Sequence, residues 1–150
     1  MKKLYFILML CPLMWFTSCS DSSNSGSKAS DLELLDKEIE ATNAQLPMQI
    51  DYVTTFLEVS RSFGVVTYKY EIDENEIDFD DMQAHKVSFR AGLKGNLTSM
   101  CVPGSDLYAF LSLMSKAGAV LQYEYKGNLT GKIFTIEFSK DDIQAMLKDN

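Results

Sequence analysis

Seven carboxylates stand within eleven residues: Glu71, Asp73, Glu74, Glu76, Asp78, Asp80 and Asp81. Oxygen-rich clusters of this kind suit Ca²⁺. The stretch Asp73 to Asp78, however, lacks the glycine and the one-three-five register of an EF-hand loop. The expected reading is a solvated strand-to-helix connection, with Asp78 as helix cap and Asp80 and Asp81 favoured by the helix's positive end. His85 is the single histidine, with no second one to help it hold zinc. Its place beside Met82 and Phe89 predicts a packed or boundary side chain. Cys101 lies between Met100 and Val102. A thiol reacts as its thiolate, which apolar surroundings disfavour, so a buried structural cysteine is expected, with an intermolecular disulfide or redox role as the alternative. No Gly-x-Ser-x-Gly elbow and no Gly-rich phosphate loop is present. The expectation is no catalytic residue, no metal site and no cofactor.

The residue best placed for covalent chemistry is Cys19. Lys2 and Lys3 form a cationic head, Leu4 to Phe16 is a nearly unbroken apolar run, and Thr17 and Ser18 are small. That order is the order of an export signal. The run is 13 residues long, short of the roughly 20 a membrane span needs. Phe16-Thr17-Ser18-Cys19 resembles the lipobox of bacterial lipoproteins. The resemblance implies cleavage before Cys19 and acylation of that cysteine, with palmitate among the chains. The alternative is an ordinary secretory signal. Each buried CH₂ is worth about 0.8 kcal/mol, so one chain holds marginally and two or three hold firmly. Ser20-Asp21-Ser22-Ser23 further resembles the acidic tag of Bacteroidetes surface lipoproteins, which implies display at the outer membrane, on either its periplasmic or its surface side. In such a setting the acceptor patterns Asn96-Leu97-Thr98 and Asn128-Leu129-Thr130 have no meaning for glycosylation.

Composition bounds the remainder. Residues 1–18 read as signal peptide, 19–30 as a Ser-rich tether and 31–150 as a single domain. Ser20 to Ser30 offers no large apolar residue and cannot offset its ordering entropy. Its expected reach is roughly 18 Å. The signal holds two of the 14 basic residues and no acid, which leaves twelve against 21 and a mature net charge of −9. Nucleic acid is a poor partner for such a surface, since phosphate neutralisation supplies most of that affinity. Anionic lipid repels it as well, so the anchored domain is expected to stand off the membrane. With Cys11 in the signal and Cys19 acylated, Cys101 has no intramolecular partner.

Periodicity supplies the elements. Ser30-Asp31-Leu32-Glu33 reads as a capping box, followed by Leu32, Leu35, Ile39 and Leu46 at helical spacing up to Pro47. Two extended runs follow, around Val53 to Val59 and Val65 to Ile72, with a turn at Arg61-Ser62-Phe63-Gly64. A helix is expected from Asp78 to Met100, its stripe being Met82, His85, Phe89, Leu93, Leu97 and Met100. Another runs from Ser105 to a stop at Gly118. Val120 to Tyr125 and Ile133 to Phe138 read as a hairpin, and Ser139 to Asp142 caps a last helix. Val65 to Tyr70 and Val120 to Tyr125 echo one another in an apolar pair and a Tyr-x-Tyr ending, as a duplicated α-β-β unit or as two strands of similar burial.

The domain is also similar to small uncharacterised bacterial envelope proteins. The residues that carry this are Leu46-Pro47-Met48, Ile50-Asp51, Thr54, Tyr68-x-Tyr70, Asn96 to Cys101 and Gly118 to Tyr125. The resemblance implies an α+β architecture and brings no catalytic residues. The expected fold is a four-stranded antiparallel sheet from two β-hairpins, with helices packed mainly on one face and Tyr68, Tyr70, Tyr123, Tyr125, Phe134, Ile136 and Phe138 supplying its packing surface. The expected function is that of a lipid-anchored cell-envelope protein acting as a non-catalytic binding or protein-interaction module. Its expected partners are the membrane, through the anchor, and another envelope protein. An inhibitor or immunity-type protein blocking a basic enzyme site is the alternative, and a small envelope hydrolase a further one.

Overall fold

The computed structural model describes residues 28–148. The elements in chain order are α1 (Lys28–Asn43), β1 (Met48–Gln49), β2 (Thr54–Ser62), β3 (Val65–Ile72), α2 (Phe79–Ala84), α3 (Lys86–Met100), α4 (Asp106–Ala117), β4 (Val120–Gly127), β5 (Ile133–Phe138) and α5 (Lys140–Lys148). The strands form one five-stranded sheet in the order β1-β2-β3-β4-β5.

This corrects the expectation of four antiparallel strands. Two hairpins are present, β2–β3 and β4–β5, but β3 and β4 pair in parallel, Val65 opposite Val120 through Ile72 opposite Gly127. The reason is the crossover. Residues 73–119 contain three helices, and they carry the chain back along the sheet, so β4 starts at the end where β3 started. A parallel pair needs such a connection; a short turn cannot make one. The fifth strand, β1, is two residues held against Phe56 and Thr55, too short to show a period.

The sequence echo is this parallel pair. Its two copies lie residue against residue, Tyr68 by Tyr123 and Tyr70 by Tyr125. They are the second strand of one hairpin and the first of the next. They therefore do not occupy equivalent places in a duplicated unit; they are neighbours that pack on the same layer. Phe56, Tyr70, Tyr125 and Phe134 form one row across four strands, with successive ring centroids 4.8, 5.4 and 5.1 Å apart. Offset stacking of this kind adds to the area buried.

Alternate residues of the sheet are buried: Val66, Tyr70 and Ile72 on β3, Leu121, Tyr123 and Tyr125 on β4, Phe134, Ile136 and Phe138 on β5. They face the helices. Leu35 and Ile39 of α1, Leu107, Leu111 and Met114 of α4, and Ile143 and Met146 of α5 meet them at helical spacing. The opposite face carries Glu58, Lys69, Glu124 and Thr135 in one register row, with a 3.0 Å ion pair between Lys69 and Glu58.

Helix ends agree with their local chemistry in most places. Ser105 caps α4 through the Tyr108 N–H, and Gly118 ends it at φ 68°, a left-handed conformation that suits glycine. Ser139 and Asp142 satisfy each other's backbone N–H groups at the start of α5, at 3.2 and 3.0 Å. Two starts differ. α1 begins at Lys28, so Ser30 lies inside the helix and is not its cap. The expected 78–100 helix is broken at His85, whose φ of −94° and ψ of 17° leave the helical range.

Candidate functional site

The two ends of the sheet differ in chemistry. At one end the chain leaves β3 into the acidic run. Asp78 caps α2, its carboxylate accepting the Asp80 and Asp81 N–H groups at 3.0 and 3.1 Å. Glu74 reaches across to the β4–β5 loop and accepts three hydrogen bonds, from the N–H groups of Leu129 and Thr130 and from the Thr130 hydroxyl, each 2.7 Å. Asp73 accepts from Asn75, at its backbone N–H and its amide, and from the Asn128 amide. Asn128 in return accepts the Glu74 N–H at 3.1 Å. Lys132 closes the set with a bidentate pair to Asp80, at 2.6 and 2.7 Å.

The electrostatics follow. Chiefly the Thr130 N–H, helped by its hydroxyl, the Leu129 N–H and Lys132, holds the Glu74 carboxyl below its ordinary pKa. The Asn75 N–H does the same for Asp73. Lys132 is pushed up, first by its hydrogen bond to Asp80. Gly127 is part of the clamp, because a Cβ there would collide with the Glu74 carboxylate. Three of the seven acids, Asp73, Glu74 and Asp80, thus fasten the acidic run to the β4–β5 loop, and Asp78 caps α2. Among the described residues no three His, Cys, Asp or Glu side chains gather as a metal site.

Around this clamp the surface is apolar as well as acidic. Asp73 N–H donates to Val53 O at 2.8 Å, which brings Tyr52, 67% exposed, to the same end. Leu129, beside Glu74, is 65% exposed, and Ile133, at the start of β5, is 50% exposed. Glu76, Asp80 and Gln83 of the acidic run and α2 are exposed as well. This end of the sheet offers three exposed apolar side chains, with Glu74 at Leu129 and the exposed Lys126 and Lys132 at Ile133. Sequence reasoning saw the acids and the loop but not their pairing, because 54 residues separate Glu74 from Asn128.

The other candidates fall elsewhere. His85 is exposed, with Nδ1 2.9 Å from Asp81 O and 3.3 Å from the Asp81 carboxylate. This exposure differs from the packed or boundary position expected beside Met82 and Phe89, which both meet the core. Cys101 is fully buried, and burial raises its thiol pKa. Asn96 and Leu97 lie within α3, with Leu97 buried. Cys19 lies outside the described residues. Among the described residues no helix is long and apolar enough to cross a membrane.

A second polar cluster was not foreseen. Arg90 and Lys94 of α3 bind the two oxygens of Asp142 at 2.7 and 2.6 Å, while Arg90 also donates to Glu137 O and lies 5.0 Å from the Phe138 ring centroid. Burial raises the Asp142 pKa, but the Lys94 hydrogen bond, the Ser139 N–H and hydroxyl and the Arg90 charge outweigh it and bring it to about 2. The spacing of Arg90 and Lys94, four apart on one helix, was a readable signal for a shared anion.

No known protein family and no curated protein matches the sequence. The fold is similar to that of a protein from Pseudomonas aeruginosa described as secreted, with a TM-score of 0.60 and 16% identity over 80% of this chain and 99% of that one. It is also similar to the pilotin of the Vibrio vulnificus type 2 secretion system, with a TM-score of 0.50 and 11% identity over 78% and 94% of the two chains. At these identities the likeness is one of fold.

Proposed function

We propose that this chain is a lipid-anchored protein of the bacterial cell envelope, acylated at Cys19 and acting as a non-catalytic binding module for another envelope protein. The observation that carries the reading is the pairing of a lipobox-like segment, Phe16 to Cys19, with a fold shared with a secretion-system pilotin and a secreted protein. Residues 1–18 are then the signal, and the anchor lies in the outer membrane. The binding surface is the end of the sheet that carries the acidic run, where Tyr52, Leu129 and Ile133 are exposed. The partner that fits is a protein with basic side chains around an apolar anchor, since aromatic and aliphatic side chains at the centre of a polar rim carry most interface energy.

Two measurements test this. The Cys19→Ser protein is expected to lose palmitate labelling and its membrane fraction; unchanged labelling would sink the lipoprotein reading. Photo-reactive side chains at Tyr52 and Leu129 in the full-length protein are expected to cross-link one defined envelope protein in living cells. The same probe at exposed Val87 serves as the comparison. Equal products from all three positions would remove the acidic end as the binding surface.

A further inference from the structure

At the opposite end of the sheet, the β2–β3 turn presents Phe63. Its side chain is completely exposed. Its backbone is left-handed, φ 49°, and Gly64 follows at φ 80°. Two positive φ values in a two-residue hairpin loop describe a type I′ turn, where Asn, Asp and Gly are favoured. A bulky residue in that conformation is an outlier. Phe63 therefore gains nothing from burial in the fold and is poorly suited to its backbone. A large aromatic kept under both penalties points to a contact outside the domain.

The position of the turn says which contact. α1 runs along β2 in the opposite direction: Asn43 binds both backbone groups of Val59 at 2.7 Å, and Arg61 binds Asp36 at 2.6 and 2.7 Å. From Asp36 back to Lys28 the helix continues for eight residues, about 12 Å past Arg61 toward the turn. The start of α1 and Phe63 are thus at one end of the domain. Cys19 is nine residues before Lys28, at most about 32 Å of extended chain. Lys116, in the last turn of α4, and Lys140 are exposed there too, Lys140 beside Gly118, while Val120 N–H donates to Gly64 O at 2.8 Å; Asp31 and Glu33 of α1 and Asp141 of α5 are the carboxylates of this end. The run of seven acids is at the far end. The chain therefore enters the domain from Cys19 at the end that lacks the acidic run.

We propose that the β2–β3 turn rests on the bilayer that holds the lipid of Cys19, with Phe63 entering the interface between headgroups and acyl chains. This rests on the lipoprotein reading above. A short tether keeps the turn at high local concentration near the surface, so one aromatic side chain suffices where it would not hold a free protein. The contact directs the acidic end away from the membrane, toward a partner.

The test uses the full-length acylated protein in vesicles of phosphatidylethanolamine and phosphatidylglycerol, with and without bromine on the acyl chains. The chain's one tryptophan, Trp15, lies in the signal, so Phe63→Trp and Leu129→Trp each report from a single position. The Phe63→Trp emission is expected to shift to the blue and to be quenched by brominated lipid at least about twofold more than that of Leu129→Trp. Flotation with equal quenching at both positions would overturn the orientation and leave the anchor standing. A blue shift without bromine quenching would place a protein against the turn and overturn it equally. Failure to float would remove the anchor and this proposal with it.

Discussion

The acidic end and the turn end of this sheet handle their unusual residues in opposite ways. At the acidic end, residues that repel one another are absorbed: Glu74, Asp73 and Asp80 each find donors on the β4–β5 loop. At the turn end, Phe63 is left with no burial and an unfavourable backbone. Three acids of a charge run that looks functional are therefore a fastening, and a hairpin turn that looks ordinary carries the unexplained residue. Composition is a poor guide to function here, and the residue a fold leaves unaccommodated is a better one.

Removal of what holds the two ends on a common middle has the largest expected effect. Asn43 caps the outer edge of β2 by serving both the N–H and the C=O of Val59, a device that also blocks strand addition. Asn43→Ala leaves two partly buried backbone groups without partners, and a loss of about 2–4 kcal/mol is expected in urea unfolding. A loss well under 1 kcal/mol would show that water replaces the amide there and that α1 is only loosely fixed to β2.

Gly127→Ala targets the acidic end alone. The added methyl displaces the flexible Glu74 carboxylate from its three hydrogen bonds on the β4–β5 loop, and a loss of stability smaller than that of Asn43→Ala is expected. Amide exchange at Leu129 and Thr130 is expected to accelerate while that of Gly64 stays unchanged. Faster exchange at both ends would mean that they are coupled through the sheet and do not act as separate surfaces.

Acid acts on the turn end through the Asp142 cluster. The folded pKa of about 2 lies below the ordinary 3.8, so the stabilisation is complete above pH 3.8 and is lost as pH falls through about 2. With Arg90 and Lys94 partly solvated, it amounts to about 1–2 kcal/mol. Asp142→Asn is expected to be less stable than the parent at pH 6, with the difference closing near pH 2. A constant difference across that window would mean that the carboxylate charge is not what docks α3 against α5.

The smallest effect is a gain. Phe63→Asn suits the left-handed turn and gives up no buried surface, so a rise of about 1 kcal/mol is expected in the soluble 28–150 fragment. A decrease would show that Phe63 packs within the domain and would remove the contrast between the ends.

Much of this molecule is local in origin. Asp78, Ser105, Gly118 and the Ser139–Asp142 pair mark helix ends because capping is settled within a few residues, and those marks agree with the structure. The alternation of Val66, Tyr68, Tyr70 and Ile72, and of Leu121, Tyr123 and Tyr125, is a consequence of one buried face, and it is legible for the same reason. In the helix stripe, Met82, Phe89, Leu93, Leu97 and Met100 all meet the core as their spacing indicates, and only His85, at the junction of α2 and α3, stands exposed.

By itself the sequence determined the class of elements, the residues of the core, the charge and the lipobox-like segment at Cys19, all of which depend on composition or on spacings of a few residues. Tertiary structure alone decided that β3 and β4 run parallel, since a 73–119 crossover can return a chain to either end of a sheet. It also decided that Glu74 serves the β4–β5 loop and that Asp142 joins Arg90 and Lys94. Those pairings bring together residues about fifty positions apart, and no local period records a contact that the crossover creates. The same holds for Phe63. Its turn was readable, but its left-handed backbone, its complete exposure and its place beside the start of α1 exist only once helix and hairpin are laid side by side.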